Sequence, residues 1–243
     1  MTASRAPRLA LVDALRGFAV AQMIVYHFIY DLDYFGWVDL AMTRDQPWLG
    51  WRTAIVTQFL LLVGLSLVLR TSFKPSAADF WKRWAQVAGA ALLVSLGSWF
   101  VFGPRFIYFG ILHFIAVALL LARPVVRLGT LNLALGAAAI AIGLLYSDPA
   151  FNTPPATILG FMTRRPPTED YVPLFPWIGV VLVGVSLGVS WQRAGWPMPA
   201  TLQRLNEHPP RWLVLLGTWA LTVYLVHQPL LMGMLALVRK MAG

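Results

Sequence analysis

Three ionisable side chains lie in one apolar stretch near the N-terminus: Asp13, Arg16 and His27. Eleven residues of α-helix return to within about 20° of the starting direction, so Arg16 and His27 share a face, about 16 Å apart along the axis. Asp13 and Asp31 fall within about 60° of that face. One stripe of the helix therefore carries an acid, a base, an imidazole and a second acid.

This stripe supports a functional and a structural interpretation. A neutral imidazole acts as a base or nucleophile near pH 7, and an arginine suits phosphate groups. The alternative is an i,i+3 ion pair between Asp13 and Arg16 that fixes the helix near the membrane interface, with His27 as an interfacial hydrogen-bonding residue. Ionisable groups inside a membrane are costly and usually face a bundle interior or a wet cavity. Anchoring alone explains four of them on one face poorly, so we favour a functional site.

The composition places this helix in an integral membrane protein. Of 243 residues, 58% are hydrophobic and 12% are charged, whereas a soluble domain has about 25% charged residues. Apolar stretches near 20 residues recur, each about long enough to cross a ~30 Å hydrocarbon core as a helix. We predict an all-α, polytopic transmembrane helix bundle of about seven spans that forms a single domain over residues 1–243. The spans are expected at roughly 9–30, 53–70, 84–102, 106–122, 128–146, 172–190 and 212–238.

The net charge of +9 comes from basic residues in the loops between the apolar segments, which is usual for a membrane protein. No nucleic-acid partner is expected. With the N-terminus in the cytoplasm, the inner segments hold more Lys and Arg than the outer ones, as the positive-inside rule requires. The inner set is Arg5, Arg8, Arg70, Lys74, Lys82, Arg83, Arg123, Arg127, Arg193, Arg204 and Arg211. The outer set is Arg44, Arg52, Arg105, Arg164, Arg165, Arg239 and Lys240. We expect a multi-pass protein of the bacterial inner (cytoplasmic) membrane.

Four segments together resemble a known family. Residues 12–19 and 25–28, with the Arg-x10-His spacing, resemble the opening helix of transmembrane acyltransferases. Residues 108–113, 173–179 and 224–229 (Tyr-Phe-Gly-Ile-Leu-His, Pro-Leu-Phe-Pro-Trp-Ile-Gly and Tyr-Leu-Val-His-Gln-Pro) extend the likeness over nearly the whole chain. The chain is similar to bacterial members of the heparan-alpha-glucosaminide N-acetyltransferase catalytic-domain family. The eukaryotic enzyme has an asparagine in place of His27 and its key histidine in the next loop, so its sugar substrate does not carry over.

The resemblance implies an acyl-CoA-dependent membrane O- or N-acyltransferase. It would move an acyl group, typically acetyl from acetyl-CoA, to a hydroxyl or amine of a saccharide-like acceptor. His27 would be the general base or the acyl carrier, and Asp31 would orient its imidazole or raise its basicity. Arg16 would hold the CoA phosphates, with Asp13 orienting its guanidinium. The chain has no cysteine, so a covalent intermediate would be an acyl-histidine or an acyl-serine.

Further candidates lie in later spans. His113, His227 and Gln228 are predicted to line the cofactor cavity, although packing explains each histidine equally well. Trp177, Arg105 and Tyr224 are candidates for substrate binding, against roles in the interface belt or in packing. No metal motif is found in the sequence, and no metal is expected.

Other functions compete with acyl transfer. The main one is a transporter or translocase of an anionic small molecule bound at Arg16. A haem-binding redox protein with paired histidines and a structural membrane subunit are weaker candidates. Acyl-CoA, the acceptor and membrane lipid are the expected partners. The acceptor's identity, the acyl chain length and the oligomeric state, including a homo-oligomer, stay open.

Overall fold

The computed structural model describes residues 9–72 and 76–242, and this part of the chain is helical without a β-strand. The helices are α1 (Ala10–Tyr34), α2 (Gln46–Ser72), α3 (Ala77–Phe102), α4 (Ile111–Val125), α5 (Leu131–Leu145), α6 (Leu174–Arg193), α7 (Ala200–Glu207), α8 (Arg211–Thr218) and α9 (Ala220–Ala242). The prediction of an all-α fold is confirmed. Arg5, Arg8 and Lys74, which entered the charge comparison, lie outside the described residues.

Six of the described helices are long and apolar enough to cross a membrane, namely α1, α2, α3, α4 with the turn that follows it, α6 and α9. The shorter apolar helix α5 brings the architecture into agreement with about seven spans. The protein is therefore a multi-pass membrane protein.

The predicted seventh span, 212–238, is divided in the structure. α8 ends at Thr218, and Trp219 leaves helical geometry with φ −98° and ψ 17° before α9 begins. α8 starts directly after Pro210. The fixed φ angle of proline is compatible with the beginning of a helix. The short amphipathic helix α7 precedes it and was not predicted, because eight residues carry too little periodicity to stand out in a loop.

The described chain forms two compact units. We call residues 9–59 with 198–242 the terminal unit, and residues 60–72 with 76–197 the central unit. α2 contributes its first half to the terminal unit and its second half to the central unit. The single domain over 1–243 stays a prediction.

In the terminal unit, α1 and α8 meet with almost no space between their backbones. A Cβ atom on Gly217 would lie 1.7 Å from the Asp13 carbonyl oxygen, and one on Gly17 would lie 1.9 Å from that of Leu213. Only glycine permits this approach, because any larger residue would place its Cβ inside the neighbouring backbone. The contact sets the start of α1 beside α8, so the later part of α1 runs alongside α9.

The central unit packs α5 against α6 in a similar way. A Cβ atom on Gly136 would lie 2.7 Å from the Gly179 carbonyl oxygen. The start of α4 is capped from the α5–α6 connection, where the Asp170 carboxylate accepts a hydrogen bond from the Ile111 amide at 3.0 Å. Asp170 thus supplies an acceptor to an amide that has no partner within its own helix.

Candidate functional site

The terminal unit holds most of the residues singled out in the sequence. They lie on α1 and α9 and are Asp13, Arg16, His27, Asp31, Tyr224, His227 and Gln228. The N-terminal part of α1 carries the ion pair and its later part carries the imidazole and the second acid. Two helices that are distant in sequence therefore bring most of the predicted site residues into one compact unit.

The centre of this group is a pair of histidines. Nδ1 of His27 lies 2.7 Å from Nε2 of His227, and the rings stack with centroids 5.0 Å apart. His227 is buried, whereas His27 is half-buried. The hydrogen bond joins residues 200 positions apart, so it depends on the packing of α1 against α9.

The backbone of α9 determines which nitrogen carries each proton. Nδ1 of His227 lies 2.7 Å from the carbonyl oxygen of Tyr224 and 3.2 Å from that of Val223. A carbonyl only accepts, so this Nδ1 donates, and Nε2 of a neutral His227 accepts from His27. The proton of a neutral His27 then lies on Nδ1, and its Nε2 keeps a lone pair. That nitrogen can act as a base or a nucleophile.

Asp31 and Gln228 form a second polar pair one helical turn from His27. The Gln228 Nε2 donates to Asp31 Oδ1 at 2.6 Å, and Gln228 directly follows His227, the hydrogen-bond partner of His27. Asp31 is fully buried. Asp31 Oδ2 and Gln228 Oε1 have no hydrogen-bond partner among the described residues, which costs about 1–3 kcal/mol for each buried group. Since the hydrogen bond of Asp31 goes to Gln228, its predicted effect on the His27 imidazole stays a prediction.

Arg16 and Asp13 form the ion pair expected from their spacing. Nη1 of Arg16 lies 2.7 Å from Oδ1 of Asp13 and also donates to the carbonyl oxygen of Gly217 at 3.3 Å. The Arg16 side chain is 22% exposed. The guanidinium therefore links α1 to the end of α8, and its predicted contact with CoA phosphates stays a prediction.

The remaining three candidates, Arg105, His113 and Trp177, lie in the central unit. Both ring nitrogens of His113 are occupied: the Gly110 amide donates to Nδ1 at 3.3 Å, and Nε2 lies 2.9 Å from the hydroxyl of Ser95. These bonds fit a histidine that caps α4. These hydrogen bonds do not test whether His113 lines the cofactor cavity.

Arg105 and Trp177 have contrasting surroundings. Arg105 pairs with Glu169 in an ion pair that the sequence analysis missed, since nothing in the spacing of two residues 64 positions apart signals it. Trp177 is half-buried in the first turn of α6. Their roles in substrate binding stay predictions.

A polar cluster within the terminal unit was also missed. Nε2 of Gln22 donates to Oε1 of Gln58 at 3.0 Å, and the Trp51 indole donates to Oε1 of Gln22 at 3.3 Å. The available signal was two glutamines inside apolar spans, where polar side chains need partners. The cluster ties α1 to α2.

Comparison with known proteins identifies the family. The family model described as "Heparan-alpha-glucosaminide N-acetyltransferase, catalytic" matches residues 8–229, a range that includes both histidines, the ion pair and the Asp31–Gln228 pair. No curated protein and no solved structure matches the chain. Because the family model covers most of the sequence, the chain belongs to the heparan-alpha-glucosaminide N-acetyltransferase catalytic family, a family of membrane acetyltransferases.

Proposed function

We propose that the protein transfers an acetyl group from acetyl-CoA to a hydroxyl or amine of a saccharide-like acceptor, with His27 as the general base. The observation that carries the proposal is the histidine pair, because its hydrogen bonds leave Nε2 of His27 with a lone pair. Family membership supports acetyl transfer and the acetyl-CoA donor.

The proposed step conserves every atom and proton. Nε2 of His27 removes the proton from the acceptor O–H or N–H as the acceptor oxygen or nitrogen attacks the thioester carbonyl carbon. The new bond to carbon forms, the carbon–sulfur bond breaks, and the CoA sulfur leaves with the proton from the His27 imidazolium. His227 stabilises the His27 imidazolium during this step, since its Nε2 accepts a hydrogen bond from the Nδ1–H of His27.

The same lone pair can attack the thioester carbonyl directly. That route releases CoA first and leaves the acetyl group on His27 until the acceptor arrives. The two routes differ in one observable, which is whether radiolabelled acetyl remains on the protein after rapid denaturation in the absence of acceptor.

Arg16 is proposed to hold the phosphates of CoA near the start of α1. A guanidinium has the planar donor geometry that phosphates prefer. Asp13 holds that guanidinium in place. His27 lies about 16 Å further along the helix axis, a distance that the extended arm of CoA is suited to cover.

We further propose that the protein lies in a bacterial cytoplasmic membrane with its N-terminus inside. The chain has no cysteine, so single-cysteine variants report on sidedness directly. In spheroplasts, an impermeant maleimide should label Ala150→Cys, between α5 and α6, and should reach Thr201→Cys in α7 only after permeabilisation. The opposite pattern would reverse the orientation.

The function is tested by adding acetyl-CoA to the detergent-purified protein and following both binding and release of free CoA thiol. We expect binding and slow release, with acetyl transferred to an added amino sugar. Binding of neither acetyl-CoA nor longer acyl-CoAs would contradict the proposal and would favour the transport of an anionic molecule bound at Arg16.

A further inference from the structure

Beside the histidine pair, hydrogen-bond acceptors outnumber donors. Oδ2 of Asp31 and Oε1 of Gln228 are both buried and have no donor among the described residues. The lone pair on Nε2 of His27 adds a third acceptor in the same part of the terminal unit, since Asp31 lies one helical turn after His27 on α1 and Gln228 directly follows its partner His227 on α9. Three acceptors close together predict a partner that supplies donors.

The orientation of Gln228 follows from its hydrogen bond to Asp31. An ionised carboxylate only accepts, so the Gln228 amide nitrogen faces Asp31 at 2.6 Å. Its carbonyl oxygen therefore cannot bond to Asp31 and stays an acceptor. Asp31 thus fixes Gln228 as a residue that presents an oxygen, while keeping one carboxylate oxygen of its own.

The burial of these groups indicates the direction of approach. Asp31 is fully buried, whereas His27 is half-buried. A group that binds the two oxygens therefore enters along His27. Charged residues inside membrane spans usually serve a substrate or ion pathway, and the ion pair of Arg16 with Asp13 lies at the opposite end of α1.

We propose that Asp31 and Gln228 form the subsite that binds the hydrogen-bond donors of the acceptor, its amino or hydroxyl groups, next to the base His27. This assignment rests on the proposed function and gives both residues a role toward the acceptor rather than toward CoA. The subsite selects acetyl-accepting substrates that carry several N–H or O–H groups. A substrate without these groups would leave both buried oxygens unpaired. An amine carries an additional attraction to the Asp31 carboxylate that a hydroxyl lacks.

The experiment distinguishes effects on the acetyl-accepting substrate from effects on acetyl-CoA. Detergent-purified wild-type protein, Asp31→Asn and Gln228→Leu are given acetyl-CoA with glucosamine, with methyl glucoside, or with no acceptor. Free CoA and acetylated product are both measured. Asp33→Asn is the matched control, because Asp33 lies two residues from Asp31 and accepts a hydrogen bond from the Leu40 amide at 2.7 Å instead. Gel filtration checks that each variant folds.

We expect both variants to raise the acceptor KM about tenfold or more, the effect of losing a hydrogen bond to a charged or buried group, and to change acceptor-independent CoA release by a smaller factor. In Asp31→Asn, the acceptor KM should rise more for glucosamine than for methyl glucoside. An unchanged acceptor KM would overturn the inference. A fall in acceptor-independent CoA release as large as the fall in product formation would also overturn it, because it would mean that Asp31 acts through His27. Wild-type CoA release without transfer to either probe would also overturn it, whereas no CoA release at all would overturn the proposed function itself.

Discussion

Nδ1 of His27 and Nε2 of His227 lie 2.7 Å apart, and this contact determines which nitrogen of His27 is available for chemistry. The Tyr224 carbonyl holds the proton on Nδ1 of His227, and His227 in turn holds the proton on Nδ1 of His27. The proton positions are thus set by backbone carbonyls of α9 that are already in place before the reaction.

Replacing His227 tests this relationship. His227→Ala should lower kcat by about 100-fold or more, because His27 loses its orienting partner and general-base catalysis is worth about 10²–10⁴. The KM for acetyl-CoA should change by a much smaller factor, since Arg16 rather than His227 is proposed to hold the CoA phosphates. His208→Ala, a change of an exposed histidine in the same unit, is the control. A kcat within fivefold of wild type in folded His227→Ala would show that His227 is not needed to orient His27.

The proposed role of Arg16 can be tested by shortening the donor. Arg16→Ala should weaken acetyl-CoA binding by about 10- to 100-fold, the cost of a lost charge-assisted hydrogen bond to phosphate. With S-acetyl-pantetheine, which lacks the nucleotide, wild type and variant should behave alike. Arg204→Ala, on α7, is the matched control. An equal loss with both donors would mean that Arg16 acts only through its bonds to Asp13 and Gly217.

The close approach of α1 and α8 predicts an unequal response to two glycine substitutions. Gly217→Ala places a Cβ atom 1.7 Å from a backbone oxygen of Asp13, so we expect a loss of about 3 kcal/mol, which corresponds to about 6–12 °C in Tm. Gly233→Ala, in α9, meets nothing within 4 Å and should leave Tm unchanged or raise it slightly. Equal thermal stability of the two variants in detergent would show that the helices are further apart.

High pH should destabilise the central unit through Tyr171. Burial, with a smaller contribution from Tyr108, raises the pKa of the Tyr171 phenol above its usual value, although Arg165 acts in the opposite direction. Its hydroxyl donates to the Thr157 carbonyl oxygen. A raised folded-state pKa stabilises the protein below the unfolded value of about 10, and that contribution is lost as pH rises through the folded value.

The measurement is Tm between pH 8 and pH 11 for wild type and Tyr171→Phe. Wild type should be more stable at pH 8, and the difference should shrink above pH 10. Tyr34→Phe, which removes the hydroxyl of an exposed tyrosine in the terminal unit, is the control for the general effect of losing a tyrosine hydroxyl. A difference that stays constant to pH 11 would mean that the phenol is not held neutral by the fold.

The sequence predicted the helices well and the contacts between them only in part. Hydropathy and length located the spans, and the 3.6-residue period placed Arg16 and His27 on one face, because both signals are local. The ion pair of Asp13 with Arg16 followed from i,i+3 spacing.

Contacts over long sequence separations did not follow from the sequence. Nothing local joins His27 to His227 or Asp31 to Gln228, each pair about 200 positions apart. The break after Thr218 escaped notice because Trp219 has no helix-breaking side chain. The close contact of α8 with α1 at Gly217, just before the break, is likewise not visible in a hydropathy window.

Acetyl transfer by His27→Ala, measured beside His208→Ala with purified protein and an amino-sugar acceptor, tests the role of His27 most directly. We predict that His27→Ala binds acetyl-CoA with wild-type affinity and unfolds at a similar temperature, while product formation falls by about 100-fold or more. His208→Ala should match wild type. Wild-type product formation by a folded His27→Ala would show that His27 is not the base of the reaction.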